Sequence, residues 1–171
     1  MAQFSVEITR LPGSVLGGNQ QATGKKLRVL TVVDTFSRYV PVLDVRYSYR
    51  GEDVVATLDR VCRTAGHPKT IRVDQGSEFV SRDMDLWAYQ RGVVLDFSRP
   101  GKPTDNAFIE AFNGRFRAEC LNQHWFLTLA DAAEKLEAWR RYYNEERPHG
   151  AIGNKVPIML TKSGGVTSPS P

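Results

Sequence analysis

Two carboxylates with 35 residues between them, Asp74 and Glu110, are the side chains in this sequence best placed to do chemistry. Asp74 closes the run Ile71-Arg72-Val73-Asp74, which reads as a short strand. Ligand and catalytic groups in α/β sheets gather at the carboxyl ends of strands. Gly76, just beyond, permits a sharp turn of the backbone. Glu110 falls in a segment with Phe108, Ile109, Phe112 and Phe116 on one side, which reads as a helix. Asp105 is expected to cap the free N–H groups at its start. A carboxylate at a strand end and one on a packed helix can converge on one point. Converging carboxylates repel unless a divalent cation neutralises them, and Mg²⁺, which prefers oxygen ligands, is the usual solution. Two such ions can activate a water or a 3′-hydroxyl and stabilise the leaving oxygen in phosphoryl transfer. Each acid also has an ordinary reading, the first as a turn residue and the second on a solvated helix face.

Positioning these two groups requires a sheet and packed helices, and the hydrophobic pattern supplies both. Phe4, Val6 and Ile8 alternate with polar residues, a short strand. Pro12 to Gly24 reads as a loop rich in Gly, Asn, Gln and Ser. Leu27 to Val33 and Tyr39 to Val45 read as two strands of a hairpin around Thr35-Phe36-Ser37-Arg38. Gly51 to Ala65 and Ser81 to Arg91 read as helices, and Thr70 to Val73 and Val93 to Phe97 as short strands. Ala107 to Cys120 and Leu129 to Asn144 are the last two expected helices, with Arg147-Pro148-His149 after the second. A hairpin followed by alternating helices and strands predicts a mixed α/β domain. Lys162 to Pro171 reads as a disordered tail.

The bulk numbers fit this picture. A chain of 171 residues, 41% hydrophobic and 25% charged, suits one globular domain. A net charge of +4 is compatible with a polyanionic partner without requiring one. Cys62 and Cys120 are isolated thiols in no zinc-like spacing. No apolar run approaches a membrane span, and the start has no signal-peptide pattern. The expected location is the cytoplasm, with no membrane partner.

Three segments together resemble a known family. They are Thr31-Val32-Val33-Asp34-Thr35-Phe36-Ser37-Arg38, Arg72-Val73-Asp74-Gln75-Gly76-Ser77-Glu78-Phe79, and Gly101-Lys102-Pro103-Thr104-Asp105-Asn106-Ala107-Phe108-Ile109-Glu110-Ala111-Phe112-Asn113. They are similar to the integrase core of bacterial insertion-sequence transposases, relatives of retroviral integrases. Tyr143-Asn144-Glu145-Glu146-Arg147-Pro148-His149 resembles the family's C-terminal motif. The resemblance implies a ribonuclease H-like fold, a mixed sheet flanked by helices, over about residues 24–160. It implies metal-dependent DNA strand cleavage and transfer by a DDE acidic triad with Mg²⁺ or Mn²⁺. Asp74 and Glu110 match the second and third acids, as catalytic residues and metal ligands. Arg117, two helical turns beyond Glu110, matches a basic DNA-contacting position, and Lys102 and Arg115 join it as candidate DNA-binding residues. The implied partners are DNA and other transposase subunits, as a homo-oligomer or with intact copies.

The first acid is not where the resemblance puts it. It should fall 15 to 20 residues before Asp34, in a Trp-x-x-Asp-Phe pattern, and Ser14-Val15-Leu16-Gly17-Gly18-Asn19 holds no carboxylate. The reading carried forward is that residues 1–23 are an atypical segment, unrelated or frame-shifted. The chain is then an impaired copy, or a non-catalytic remnant that binds DNA or an intact transposase subunit. Glu7 is an alternative first acid, made awkward by the long loop to Leu27. Asp34 is another, though its expected role is to order the turn at Thr35 and Phe36. Trp125, Trp139, Tyr142 and Tyr143 are expected to pack the last helix, and His149 to hydrogen-bond locally, with a metal role as its alternative.

Overall fold

The computed structural model describes residues 3–11, 26–105 and 107–164. Five strands, β1 (Gln3–Arg10), β2 (Arg28–Asp34), β3 (Val42–Arg46), β4 (Thr70–Val73) and β5 (Val94–Phe97), form one sheet in the order β3-β2-β1-β4-β5. β1 runs antiparallel to β2 and β2 to β3, whereas β1–β4 and β4–β5 are parallel. The mixed α/β sheet is therefore as expected. What differs is the place of the first segment: β1 is its central strand, held on one side by β2 and on the other by β4.

Helices α1 (Gly51–Ala65) and α2 (Arg82–Arg91) cover one face. Their core with the sheet contains Phe4, Val6, Leu30, Val32, Val54, Leu58, Ile71, Val73, Met84 and Trp87. Helices α3 (Ala107–Glu119) and α4 (Leu129–Glu145) cover the other, where Val29, Val33, Leu43 and Val45 meet Ile109, Phe112, Phe116, Leu136, Trp139 and Tyr143. Successive strand residues point to opposite faces. Phe4 and Val6 thus face α1 and α2, while Ser5, Glu7 and Thr9 face α3.

Local signals explain the element ends. The Arg50 amide donates to Asp53 at the start of α1. Ser81 accepts from the Met84 amide at the start of α2, and Gly92, in the left-handed region, ends it. Thr128 accepts from the Asp131 amide at the start of α4. The hairpin turn is ordered by Asp34 as expected, its carboxylate accepting from the Phe36 and Ser37 amides and the Ser37 hydroxyl.

Some expectations need correction. Tyr39 to Pro41 lie outside the strand, which starts at Val42. A short helix, α5 (Pro157–Gly164), runs into the stretch read as a tail, and residues 165–171 lie outside the described residues. Trp139 and Tyr143 are buried as expected, but Trp125 is 83% exposed and Tyr142 45%. The buried stripe of α4 is Ala132, Leu136, Trp139 and Tyr143, and Tyr142 sits at its edge. Among the described residues, no cap hydrogen bond from Asp105 to α3 is seen. Its carboxylate accepts instead from the backbone and guanidinium of Arg99.

Candidate active site

The parallel register pairs Phe4 with Ile71 and Ser5 with Arg72. Carried two residues further, it sets Glu7 level with Asp74. By strand parity both side chains leave the sheet toward α3. That helix packs on β1 and carries Glu110, with Asn113 one turn later. The Glu7 carboxylate accepts from Asn113 Nδ2 at 2.7 Å. Three acids from three elements thus face one region.

Their charges act on one another. Burial is the first cause that lifts the Glu7 carboxyl above the ordinary glutamate range, and the negative charges of Asp74 and Glu110 add to it. The Asn113 hydrogen bond and the Arg117 charge oppose the rise. Arg117 therefore belongs to this region, on the Glu110 side of α3 as its spacing predicts. Arg115 does not: its charge acts on Tyr143 and His149, around the end of α4.

Asp74 is held by its own turn. Its Oδ1 accepts from the Gly76 amide at 2.7 Å. Gly76 lies close under two carboxylates rather than in a left-handed turn. A Cβ there would stand 2.9 Å from Asp74 Oδ1 and 3.0 Å from Glu78 Oε2. The donor set is all oxygen, which suits a hard divalent cation. Among the described residues, no three His, Cys, Asp or Glu side chains are gathered closely enough to hold one metal ion. The Glu7 carboxylate is turned to Asn113 and that of Asp74 to the Gly76 amide, one hydrogen bond each.

A groove of about 430 Å³ opens from Asp74 and Glu110 along Gln75 and the segment Ser98 to Lys102. Arg72 fixes that segment, donating to the Asp105 carbonyl at 2.9 Å and to the Asp96 carboxylate at 2.6 Å. Arg99 closes it by its pairing with Asp105, whose carboxyl is held well below the usual range. Lys102 is exposed on the groove wall.

His149 is buried. One ring nitrogen lies 3.2 Å from the Tyr143 carbonyl and the other 3.4 Å from Arg147 Nη1, the local bonding expected. Its ring sits edge-on to Tyr143 at 4.4 Å. Arg147 pairs with Glu119 at 2.7 Å and so ties the end of α4 to α3.

The raised Glu7 carboxyl, lifted by burial first and by its acidic neighbours second, has a measurable consequence. A carboxyl whose folded value is raised binds protons more readily in the folded chain than in the unfolded one. Its contribution to stability is complete below the unfolded value and is lost as pH rises through the folded one. Glu7→Gln removes this term, so the melting temperature of wild type relative to the variant should fall as pH rises above the ordinary glutamate value of about 4.3. Mg²⁺ should narrow the gap at the upper end by binding only the wild type. A difference independent of pH would exclude a raised Glu7 carboxyl.

The residues around this site match known proteins. The integrase core domain family matches residues 11–103, and a second integrase core domain description matches residues 91–157. The chain belongs to the integrase core domain family. It is 46% identical over 150 residues to the insertion element IS407 uncharacterized 31.7 kDa protein of Burkholderia multivorans, covering 88% of this chain and 54% of that one. It is 43% identical over 139 residues to the insertion element IS476 uncharacterized 39.2 kDa protein of Xanthomonas euvesicatoria, covering 81% and 40%. The transposase for insertion sequence element IS904 of Lactococcus lactis is 30% identical over 136 residues, 76% and 53% of the two chains. The chain spans about half the length of these relatives. Among solved structures, the catalytic core domain of BIV integrase superposes with a TM-score of 0.72 at 13% identity, over 98% of both chains. The HTLV-2 integrase catalytic core domain in complex with magnesium gives 0.67 at 14% identity, over 93% and 95%. The fold is that of integrase catalytic cores, ribonuclease H-like, as the motifs implied.

Proposed function

We propose that this chain is the catalytic core of an insertion-sequence transposase, with Glu7, Asp74 and Glu110 as its acidic triad. The observation that carries the proposal is the register of β1 on β4, which sets Glu7 level with Asp74 on the face that α3 covers. Phe4-Ser5-Val6-Glu7-Ile8 then stands where the resemblance calls for Trp-x-x-Asp-Phe, with Glu for Asp. In this reading residues 3–10 belong to the core rather than to an unrelated segment.

The three carboxylates would hold Mg²⁺ or Mn²⁺, which supply charge neutralisation and a nucleophilic oxygen at neutral pH. The HTLV-2 core domain, which shares the fold, was solved with magnesium. Asn113 keeps the longer Glu7 side chain from swinging free. The pinned segment from Ser98 to Lys102 orients the scissile strand along the groove, and Lys102 and Arg117 contact its phosphates without reading bases. The substrate is DNA and the reaction strand cleavage and transfer. The chain acts in the cytoplasm with further transposase copies.

Incubation with supercoiled plasmid tests this. Open circles should form with Mg²⁺ or Mn²⁺, be absent with chelator, and be lost in Asp74→Asn and Glu110→Gln. Nicking that persists in Asp74→Asn, or no nicking with either metal, would leave the remnant reading.

A further inference from the structure

We propose that Arg72 is a positioning residue that sets Glu110 against Asp74; this rests on the acidic-triad reading above. Arg72 precedes Asp74 by two residues, so both side chains leave the sheet toward α3. Asp96 stands directly opposite Arg72 on β5. Two of the guanidinium nitrogens, Nε and Nη2, donate to Asp96 Oδ2 at 3.1 and 2.6 Å. That pairing fixes the plane of the group against the sheet. The third nitrogen, Nη1, reaches off the sheet and donates to the Asp105 carbonyl at 2.9 Å.

Asp105 lies two residues before the first residue of α3, and Glu110 falls in the first turn of that helix. A helix is stiff over one turn, because each residue is fixed at a rise of about 1.5 Å. A shift of the Asp105 backbone is therefore passed on to Glu110. The other end of the same segment hangs from the same strand, since the Ser98 amide donates to the Val73 carbonyl at 2.8 Å. Residues 72 and 73 thus hold both ends of the groove wall just ahead of Asp74. The Arg99 pairing with Asp105 differs in kind: it joins two residues of the segment to each other and would travel with it.

Arg72 and Asp96 keep 35% and 40% of their side-chain exposure. Ion pairs that open contribute little to stability. What this one holds is geometry. Asp74 and Glu110 line one groove, and two acids can share a cation only at a set separation. Misplacing a reacting group by about 1 Å costs on the order of 100-fold in rate.

Plasmid nicking and calorimetric titration of the full chain with Mn²⁺ test this. Arg72→Gln should lower the maximal nicking rate by on the order of 100-fold and weaken Mn²⁺ binding severalfold. The DNA concentration for half-maximal rate should not change, and the melting temperature should stay within about 2 °C of wild type. Arg72→Lys keeps the charge but cannot span Asp96 and Asp105 together, so it should be impaired nearly as much. Asp96→Asn should also weaken Mn²⁺ binding, and adding it to Arg72→Gln should cause no further loss, because the two act through one contact. Unchanged Mn²⁺ affinity in Arg72→Gln, or full recovery in Arg72→Lys, overturns the proposal. So does a fall in melting temperature of about 10 °C, which would make the role structural. A raised half-maximal DNA concentration, with a salt slope lower by about 1, would make Arg72 a phosphate contact instead. A wild type that binds Mn²⁺ without nicking defeats the strand-cleavage reading, and the Mn²⁺ affinities still decide the role of Arg72. A wild type that binds no Mn²⁺ overturns both.

Discussion

Glu7→Gln should lower metal-dependent plasmid nicking by on the order of 1000-fold, the loss expected when a divalent-cation site gives up one anionic ligand worth several kcal/mol. The substitution is nearly isosteric, and the new amide oxygen can still accept from Asn113, so the strand and the helix stay docked. What is removed is one negative charge next to Asp74. The companion variant Glu7→Asp restores the residue type the family resemblance calls for. It should keep nicking while losing the reach to Asn113 across the gap that Glu7 spans at 2.7 Å. Undiminished nicking by Glu7→Gln would remove Glu7 from the triad and return residues 1–23 to the standing of an atypical segment.

The largest stability effect should come from Phe116→Ala. Phe116 is fully buried between Phe112 and Trp139, with ring centroids 6.1 and 5.0 Å away. Truncating a buried aromatic in a packed core costs about 3–5 kcal/mol, from lost transfer energy and the cavity left behind. In a chain of this size that corresponds to a fall in melting temperature of about 10 °C. Trp139 and Tyr143 lean on the same rings, so the loosened contact is the one that seats α3, and with it Glu110, on the sheet. A loss below about 1 kcal/mol would mean that α3 is held mainly by other contacts.

The elements were legible because their periods are clean. Gly51–Ala65 and Thr70–Val73 fall where the pattern put them, since apolar spacing and flanking turn residues agree there. Asp74, Glu110 and Arg117 were singled out by motif and spacing, and the folded chain sets all three around Glu7. Glu7 was visible only as an alternative. On the proposed triad its signal is diluted twice, by Glu in place of Asp and by Phe4 in place of Trp, and the distance to Leu27 hid the pairing. Register is a property of two strands at once, and β1 takes its register from residues far along the chain. Asp105 misled for a related reason. Its type suits a helix cap, but the Arg99 guanidinium and amide compete for the same oxygens, and that competition exists only after the segment has folded back.

The central place of β1 also bears on how quickly this protein reaches its native state. β2 and β3 form a local hairpin, whereas Phe4 must find both Asp34 and Ile71 before the sheet closes. Such distant pairings are slow because chain entropy is lost before contacts reward it. The same docking step brings Glu7 up against Asp74, so the late folding barrier includes the approach of two like charges. On the triad proposed above, divalent cations should therefore speed refolding, and a metal that serves the chemistry would serve the folding pathway as well.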